Sequence, residues 1–148
     1  MDHIRAILSN EILLSAIAAW ALAQFLKVVI ELWRVKRLHL GLMFSTGGMP
    51  SSHTSFMVAM AVAVGLREGF GSTMFAIAAA ISMVVMSDAA GVRRAAGKQA
   101  KVINSLVANI ENTGIVLDEK LKELLGHTPI EVACGALLGI IVASVMMS

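Results

Sequence analysis

The stretch that decides the fold is HTSFMVAMAVAVGLREGFGSTMFAIAAAISMVVMSDAAG, residues 53–91. It contains two apolar runs, 53–70 and 72–91, each close to the ~20 residues that a helix needs to cross a bilayer. The connection at residues 67–71 (REGFG) is too short for anything except a tight turn. We therefore predict two transmembrane helices that are antiparallel neighbours.

Working outward, two more runs of similar length and apolarity cover residues 12–33 and 129–147. The 148-residue chain is 57% hydrophobic and 15% charged, with a mean hydropathy of +0.80. Soluble domains are roughly 45–50% apolar and about 25% charged. The composition excludes a disordered, collagen-like or nucleic-acid-binding chain and favours one membrane-embedded domain over residues 1–148 with four spans.

The connection at residues 92–128 is the long hydrophilic stretch of the chain. Apolar residues recur there at steps of four and three, which predicts one amphipathic helix: Ala96, Ala100, Ile103, Val107 and Ile110. Residues 112–114 break the pattern, and residues 117–125 predict a second short amphipathic helix. We expect both helices to lie on the membrane face, and we assign the chain to the all-α class.

With four spans, most of the Lys and Arg residues outside the first span fall on one side of the membrane. That side holds Arg34, Lys36, Arg37, Arg93, Arg94, Lys98, Lys101, Lys120 and Lys122, and the other holds Arg5 and Arg67. Cytoplasmic loops carry an excess of positive residues. We therefore expect this rich side to face the cytoplasm, in a bacterial cell membrane.

A polar stripe runs along the first span, because Gln24, Lys27, Glu31 and Arg34 recur at steps of three, four and three. Ionisable groups at membrane depth usually face a bundle interior or an aqueous pocket. The alternative is that Lys27 and Glu31 neutralise each other one turn apart while Arg34 reaches to the interface.

The loop STGGMPSSHT, residues 45–54, leads directly into the second span. Its glycines allow backbone to approach a ligand, and the hydroxyls of Ser51 and Ser52 beside a helix start favour an anion such as phosphate. The alternative is a helix cap with His53 at the interface.

On the same side, the third span ends in Asp88, Arg93 and Arg94. Two guanidiniums suit bidentate phosphate recognition, with Asp88 orienting one of them. A basic pair facing lipid headgroups is the alternative.

The last span begins with His127, Thr128, Pro129, Ile130 and Glu131. Thr128 as N-cap, Pro129 at the first helical position and Glu131 three residues after the cap predict a capping box. Glu131 also follows His127 by four residues, so its carboxylate can accept the imidazole N–H and set the tautomer that a nucleophilic histidine needs.

In order along the chain, these residues resemble the three-part signature of the phosphatidic acid phosphatase type 2 superfamily, which includes vanadium haloperoxidases. The matching features are Lys27 and Arg34 with six residues between them, PSSH at 50–53, and His127 with its acid. Segments 45–53, 88–100 and 126–129 resemble the divergent small branch of bacteria and plants. The chain departs from the superfamily at Val35, where proline is usual, at Ser52, where glycine is usual, and in the distance between its arginine pair and His127.

The resemblance implies a metal-independent phosphatase, without a cofactor, that works through a phosphohistidine. His127 would attack phosphorus, Glu131 would orient it, and His53 would protonate the leaving oxygen and later activate water. The phosphate oxygens would be held by Lys27, Arg34, Ser51, Ser52 and Arg94, with Arg93 as the alternative arginine.

A site at the membrane interface implies a lipid phosphate monoester or diphosphate as substrate, with membrane lipids around it. The competing hypotheses are a non-catalytic anion-binding or scaffold protein that retains the pocket, and a small transporter that uses the polar stripe. Four spans are compatible with a homodimer.

Overall fold

The computed structural model describes residues 2–36, 48–111 and 126–148, and all regular secondary structure in these ranges is α-helical. The helices are α1 Asp2–Leu8, α2 Glu11–Val35, α3 Ser52–Glu68, α4 Thr73–Ala90, α5 Val92–Glu111 and α6 Pro129–Met146. The all-α prediction is confirmed. Helices α2, α3, α4 and α6 end within two residues of the four predicted spans.

The two predicted connection helices have different outcomes. Helix α5, Val92–Glu111, confirms the first one, and residues 112–114, which were expected to break it, lie outside the described residues. The second, at residues 117–125, lies outside the described residues. Helix α1 was not predicted, although Ile4, Ile7 and Leu8 have the spacing of one helical face.

Within residues 2–36, 48–111 and 126–148, three stretches are long and apolar enough to cross a membrane by length and composition: Glu11–Trp33, Thr73–Val107 and Pro129–Met146. The second contains α4 and continues into α5. The remaining predicted span is α3, which has 17 residues. It packs against α2, α4 and α6 and so forms the centre of the bundle.

Small residues let the helices around α3 approach closely. A Cβ added at Gly135 of α6 would lie 2.5 Å from the Ser51 carbonyl oxygen, and one at Gly139 would lie 2.6 Å from that of Ser55. The Ser55 hydroxyl donates to the carbonyl oxygen of Gly135 at 2.9 Å. Lipid provides no hydrophobic drive between helices, so close packing and interhelical hydrogen bonds hold this pair together.

Each helix of the bundle starts at a polar cap. Asn10 caps α2, Ser51 caps α3, Ser72 caps α4 and Thr128 caps α6, in every case through a side-chain oxygen that accepts a backbone N–H. These bonds satisfy donors that the first turn of a helix leaves unpaired.

The bundle has two distinct ends. At one end, Arg67 donates to Glu11 at 2.7 Å, and Ile12 and Met147 pack against the same alanine cluster. Both described termini, α1 and the end of α6, therefore lie at this end. The opposite end brings together the starts of α3 and α6 and the ends of α2 and α4.

Candidate active site

One carboxylate oxygen at the start of α6 has two neighbours. Glu131 Oε2 accepts from the Thr128 backbone N–H at 2.8 Å, while the Glu131 N–H donates to Thr128 Oγ1 at 3.3 Å, so the predicted capping box is confirmed. The same Oε2 lies 3.3 Å from His127 Nδ1. Glu131 therefore caps the helix and also faces the imidazole.

His127 is held in place as well as oriented. The residue is buried, at 2% exposure, and its backbone N–H donates to the Ala89 carbonyl oxygen at 3.0 Å. This bond ties the start of α6 to the end of α4. A carboxylate can only accept, so we assign a proton to Nδ1, which leaves Nε2 with the lone pair of a nucleophile.

Lys27 brings a positive charge to the same end of the bundle. It lies on α2 at 2% exposure, and the Glu131 carboxylate acts on its ammonium as an opposite charge. Gln24, one turn earlier, is also buried, so this part of the polar stripe faces the bundle interior as predicted. A buried ammonium requires compensating partners, which α6 supplies in part.

The loop before α3 packs against the methylene chain of Lys27. Gly48 has φ +94°, and a Cβ at that position would come within 3.1 Å of Lys27 Cγ. Both the left-handed backbone and the close contact therefore favour glycine there. The Ser51 N–H then donates to the Glu131 carbonyl oxygen at 3.1 Å, which joins the loop to α6.

These contacts define the Lys27–Glu131 cluster, which we take to comprise Lys27, Gly48, Ser51, His127 and Glu131. Its members come from α2, from the loop and cap before α3, and from the start of α6. The cluster places a lysine side chain, an imidazole and an orienting carboxylate at the same end of the bundle, which suits attack on a phosphate.

The predicted serines have a visible structural role. Ser51 is fully buried, and its Oγ accepts from the Thr54 hydroxyl at 3.0 Å. Ser52 is buried at the first position of α3. The cap interpretation of Ser51 is therefore confirmed, and phosphate binding by both serines stays a prediction.

His53 and Asp88 lie beside the cluster on other surfaces. His53 is exposed and lines a groove with Ile17, Trp20, Phe56, Met57 and Val85. Asp88 is half-buried in the last turn of α4, next to the Ala89 carbonyl that holds His127. Their acid–base and orienting roles stay predictions.

The predicted guanidiniums lie outside the described part of the structure. Arg34 belongs to the last turn of α2 and Arg93 and Arg94 to the first turn of α5, but their side chains are not described. Residues 45–47 of the predicted phosphate loop are outside it too. Which arginine holds a phosphate oxygen stays a prediction.

Two residues that position the cluster were missed as such from the sequence, Thr54 and Ser55. Thr54 donates to the Ser51 cap, and the single hydroxyl proton of Ser55 lies between the carbonyl oxygens of Ser51 and Gly135, which are 3.0 and 2.9 Å from its oxygen. A signal for them existed, since Ser51 and Ser55 share the four-residue spacing of Gly135 and Gly139 on the facing helix.

Among residues 2–36, 48–111 and 126–148, no three His, Cys, Asp or Glu side chains form a group that could hold a metal ion. Metal independence stays a prediction, which activity in the presence of EDTA tests.

Comparison with known proteins agrees with the resemblance seen in the sequence. The family described as Divergent PAP2 family matches residues 8–142. A protein of Bacillus subtilis (strain 168), named Uncharacterized membrane protein YuiD, is 42% identical over 151 residues, which cover 95% of this chain and 96% of that protein. No solved structure matches the chain.

Proposed function

The chain belongs to the divergent PAP2 family of membrane proteins, and from this membership and the geometry of the Lys27–Glu131 cluster we propose that it is a lipid phosphate phosphatase. The substrate is a lipid phosphate monoester or diphosphate, and the intermediate is a phosphohistidine. The observation that carries the proposal is the 3.3 Å approach of Glu131 Oε2 to His127 Nδ1 beside the buried charge of Lys27.

In the first step, His127 Nε2 attacks phosphorus as the bond to the leaving oxygen breaks. Glu131 accepts a hydrogen bond from Nδ1–H throughout and stabilises the positive ring that forms. His53 donates a proton to the leaving oxygen. Lys27 stabilises the charge that develops on the phosphoryl oxygens, together with Ser51, Ser52, Arg34 and one of Arg93 and Arg94.

In the second step, His53 takes a proton from water, and the water oxygen attacks phosphorus. The bond to Nε2 breaks, inorganic phosphate leaves, and His127 returns to its starting state. Neither step needs a metal ion or a cofactor.

The test is phosphate release by the purified protein from a panel of lipid phosphates in nanodiscs. We expect release by the wild type and by the matched control His3→Ala, since His3 is exposed on α1 at the opposite end of the bundle. His127→Ala should release none. Brief incubation with a ³²P-labelled substrate should label the wild type in an acid-labile form and leave His127→Ala unlabelled.

The competing candidate is a non-catalytic anion-binding protein. Saturable binding of a lipid phosphonate by the wild type, combined with no phosphate release from any substrate in the panel, would replace the proposed enzyme with this candidate. The buried imidazole and its carboxylate favour the enzyme, because anion binding alone needs only positive charges.

We propose further that the site end faces the cytoplasm of a bacterial cell, because the positively charged segments flank that end. A periplasm-dependent reporter enzyme fused after Ser148 should then be active, since α6 ends at the other end of the bundle. An inactive reporter on a folded, membrane-inserted fusion would reverse the orientation.

A further inference from the structure

A groove of about 520 Å³ opens on the membrane-facing surface beside the candidate site. Ile17 and Trp20 of α2 form one wall, His53, Phe56 and Met57 of α3 form the floor, and Val85 of α4 forms the other wall. Helices α2 and α4 both pack against α3, and the groove lies between them. Five of the six lining side chains are apolar, and the polar one is His53.

The groove runs away from the site toward the middle of the bundle. His53 stands directly after Ser52 at the start of α3, whereas Trp20 and Ile17 precede Lys27 by seven and ten residues on α2. At 1.5 Å per residue, these side chains lie ~10 and ~15 Å below the level of Lys27. The polar end of the groove is therefore its site end, and its apolar depth lies within the membrane.

We propose that this groove binds the hydrocarbon chain of the phosphate substrate, with His53 at the junction between headgroup and chain. This inference rests on the proposed function and specifies its substrate as a lipid phosphate that places one hydrocarbon chain in the groove. The occupant must be apolar along its length, must be available at membrane depth and must carry its polar group at one end. A lipid chain whose phosphate reaches the Lys27–Glu131 cluster meets all three conditions.

The length of the groove sets a chain-length preference. An extended chain advances ~1.2 Å per bond, since three backbone bonds span 3.3–3.6 Å in an extended peptide. A groove reaching ~10–15 Å below Lys27 therefore accommodates about ten carbons. For a substrate supplied from water, each CH₂ that leaves water for the groove should raise kcat/KM about fourfold until the groove is full.

The first experiment measures binding without turnover. Trp20 and Trp33 are the two tryptophans of the chain, so Trp33→Phe leaves the groove indole alone. A dodecyl phosphonate with bromine at mid-chain should quench Trp20 fluorescence saturably, and unbrominated dodecyl phosphonate should reverse the quenching. In the matched variant Trp20→Phe, the remaining Trp33 is 86% exposed and lies outside the groove, and it should show no saturable component.

The second experiment measures chain-length dependence of hydrolysis with alkyl phosphates of four to sixteen carbons. Ile17→Trp fills the deep end of the groove and should move the plateau of kcat/KM to shorter chains. Ile141→Trp is the matched control, because Ile141 is similarly exposed on α6 away from the groove. Partitioning of the substrates into the bilayer is common to both variants and cancels in their ratio.

The outcomes separate the two proposals. Saturable quenching without hydrolysis of any substrate would overturn the phosphatase and leave the groove as a lipid-phosphate site. Hydrolysis without saturable quenching, and with equal profiles for Ile17→Trp and Ile141→Trp, would overturn the groove and leave the phosphatase. Equal quenching by brominated dodecanol would show a general site for membrane hydrocarbon and overturn the link to the phosphate.

Discussion

Substitution of Gly135 by alanine tests whether the contact between α3 and α6 positions the site. An alanine Cβ would lie 2.5 Å from the Ser51 carbonyl oxygen and 3.1 Å from Thr54 Cβ. Ordinary van der Waals contacts begin at 3.4 Å. Because the nearest atom belongs to the backbone, rotation of a side chain cannot relieve the clash. Close-packed interiors have no free space to absorb it, so the two helices must move apart by ~0.9 Å.

Two opposing terms set the expected loss of stability. Overpacking costs about 1–3 kcal/mol, and a backbone clash belongs at the upper end of that range. Within a helix, alanine is more favourable than glycine by about 1 kcal/mol. The free energy of unfolding should therefore fall by about 2 kcal/mol in total, which corresponds to a fall in Tm of about 4–8 °C for a domain of this size.

The same displacement should slow the reaction. The helix that moves carries Glu131 and begins two residues after His127, and the Ser51 N–H that donates to the Glu131 carbonyl oxygen lies beside the clash. A shift of about 1 Å in a catalytic group can cost 10²-fold in rate. We therefore expect turnover per folded molecule to fall about 10²-fold.

Thermal unfolding of purified protein in one detergent and phosphate release in nanodiscs measure the two effects. Gly71→Ala is the matched control, because nothing lies within 4 Å of a Cβ added there, and it should leave both quantities unchanged. An unchanged Tm and unchanged turnover for Gly135→Ala would refute the close α3–α6 packing. A lowered Tm with unchanged turnover would refute the positional link to the site.

His127→Ala should abolish turnover on both an alkyl phosphate and a nitrophenyl phosphate, and wild-type rates on either would contradict the phosphohistidine. His53→Ala should lose about 10²–10⁴-fold on the alkyl ester and recover in part on the nitrophenyl ester, whose leaving group needs little protonation. Glu131→Gln should keep the helix cap, because an amide oxygen still accepts from Thr128, but it should lower Tm because buried Lys27 loses its compensating charge, and it should lose about tenfold in turnover with the charge-assisted bond. A lowered Tm with full turnover per folded molecule would show that Glu131 acts only as a helix cap. Activity should persist in EDTA and fall with vanadate, and loss in EDTA that Mg²⁺ restores would contradict metal independence.

The helices themselves could be predicted because their signals are local. Apolar runs, the turn at residues 67–71 and the Thr128–Glu131 capping box each involve residues close together in the chain, and the structure agrees with them within two residues. Helix α1 was missed because seven residues provide barely two turns of periodicity.

The cluster could be predicted in part. His127 and Glu131 are four residues apart on the chain, so their approach follows from one helical turn, as predicted. The nearness of Lys27 to Glu131 was inferred only through the resemblance to a family, since these two residues are 104 positions apart in the chain.

The sequence by itself determined that this is an all-α membrane protein with these helix limits and with polar groups at one end, because length, apolarity and caps are properties of short segments. Only the tertiary structure decided that α3 lies at the centre, that Gly135 faces Ser51 and that His53 lines an apolar groove. Helices α4 and α6 are apolar on nearly every side, so no stripe in their sequences marks the face that packs. Which faces meet depends on fitting small residues against backbone across helices, and that fit exists only once the helices are packed.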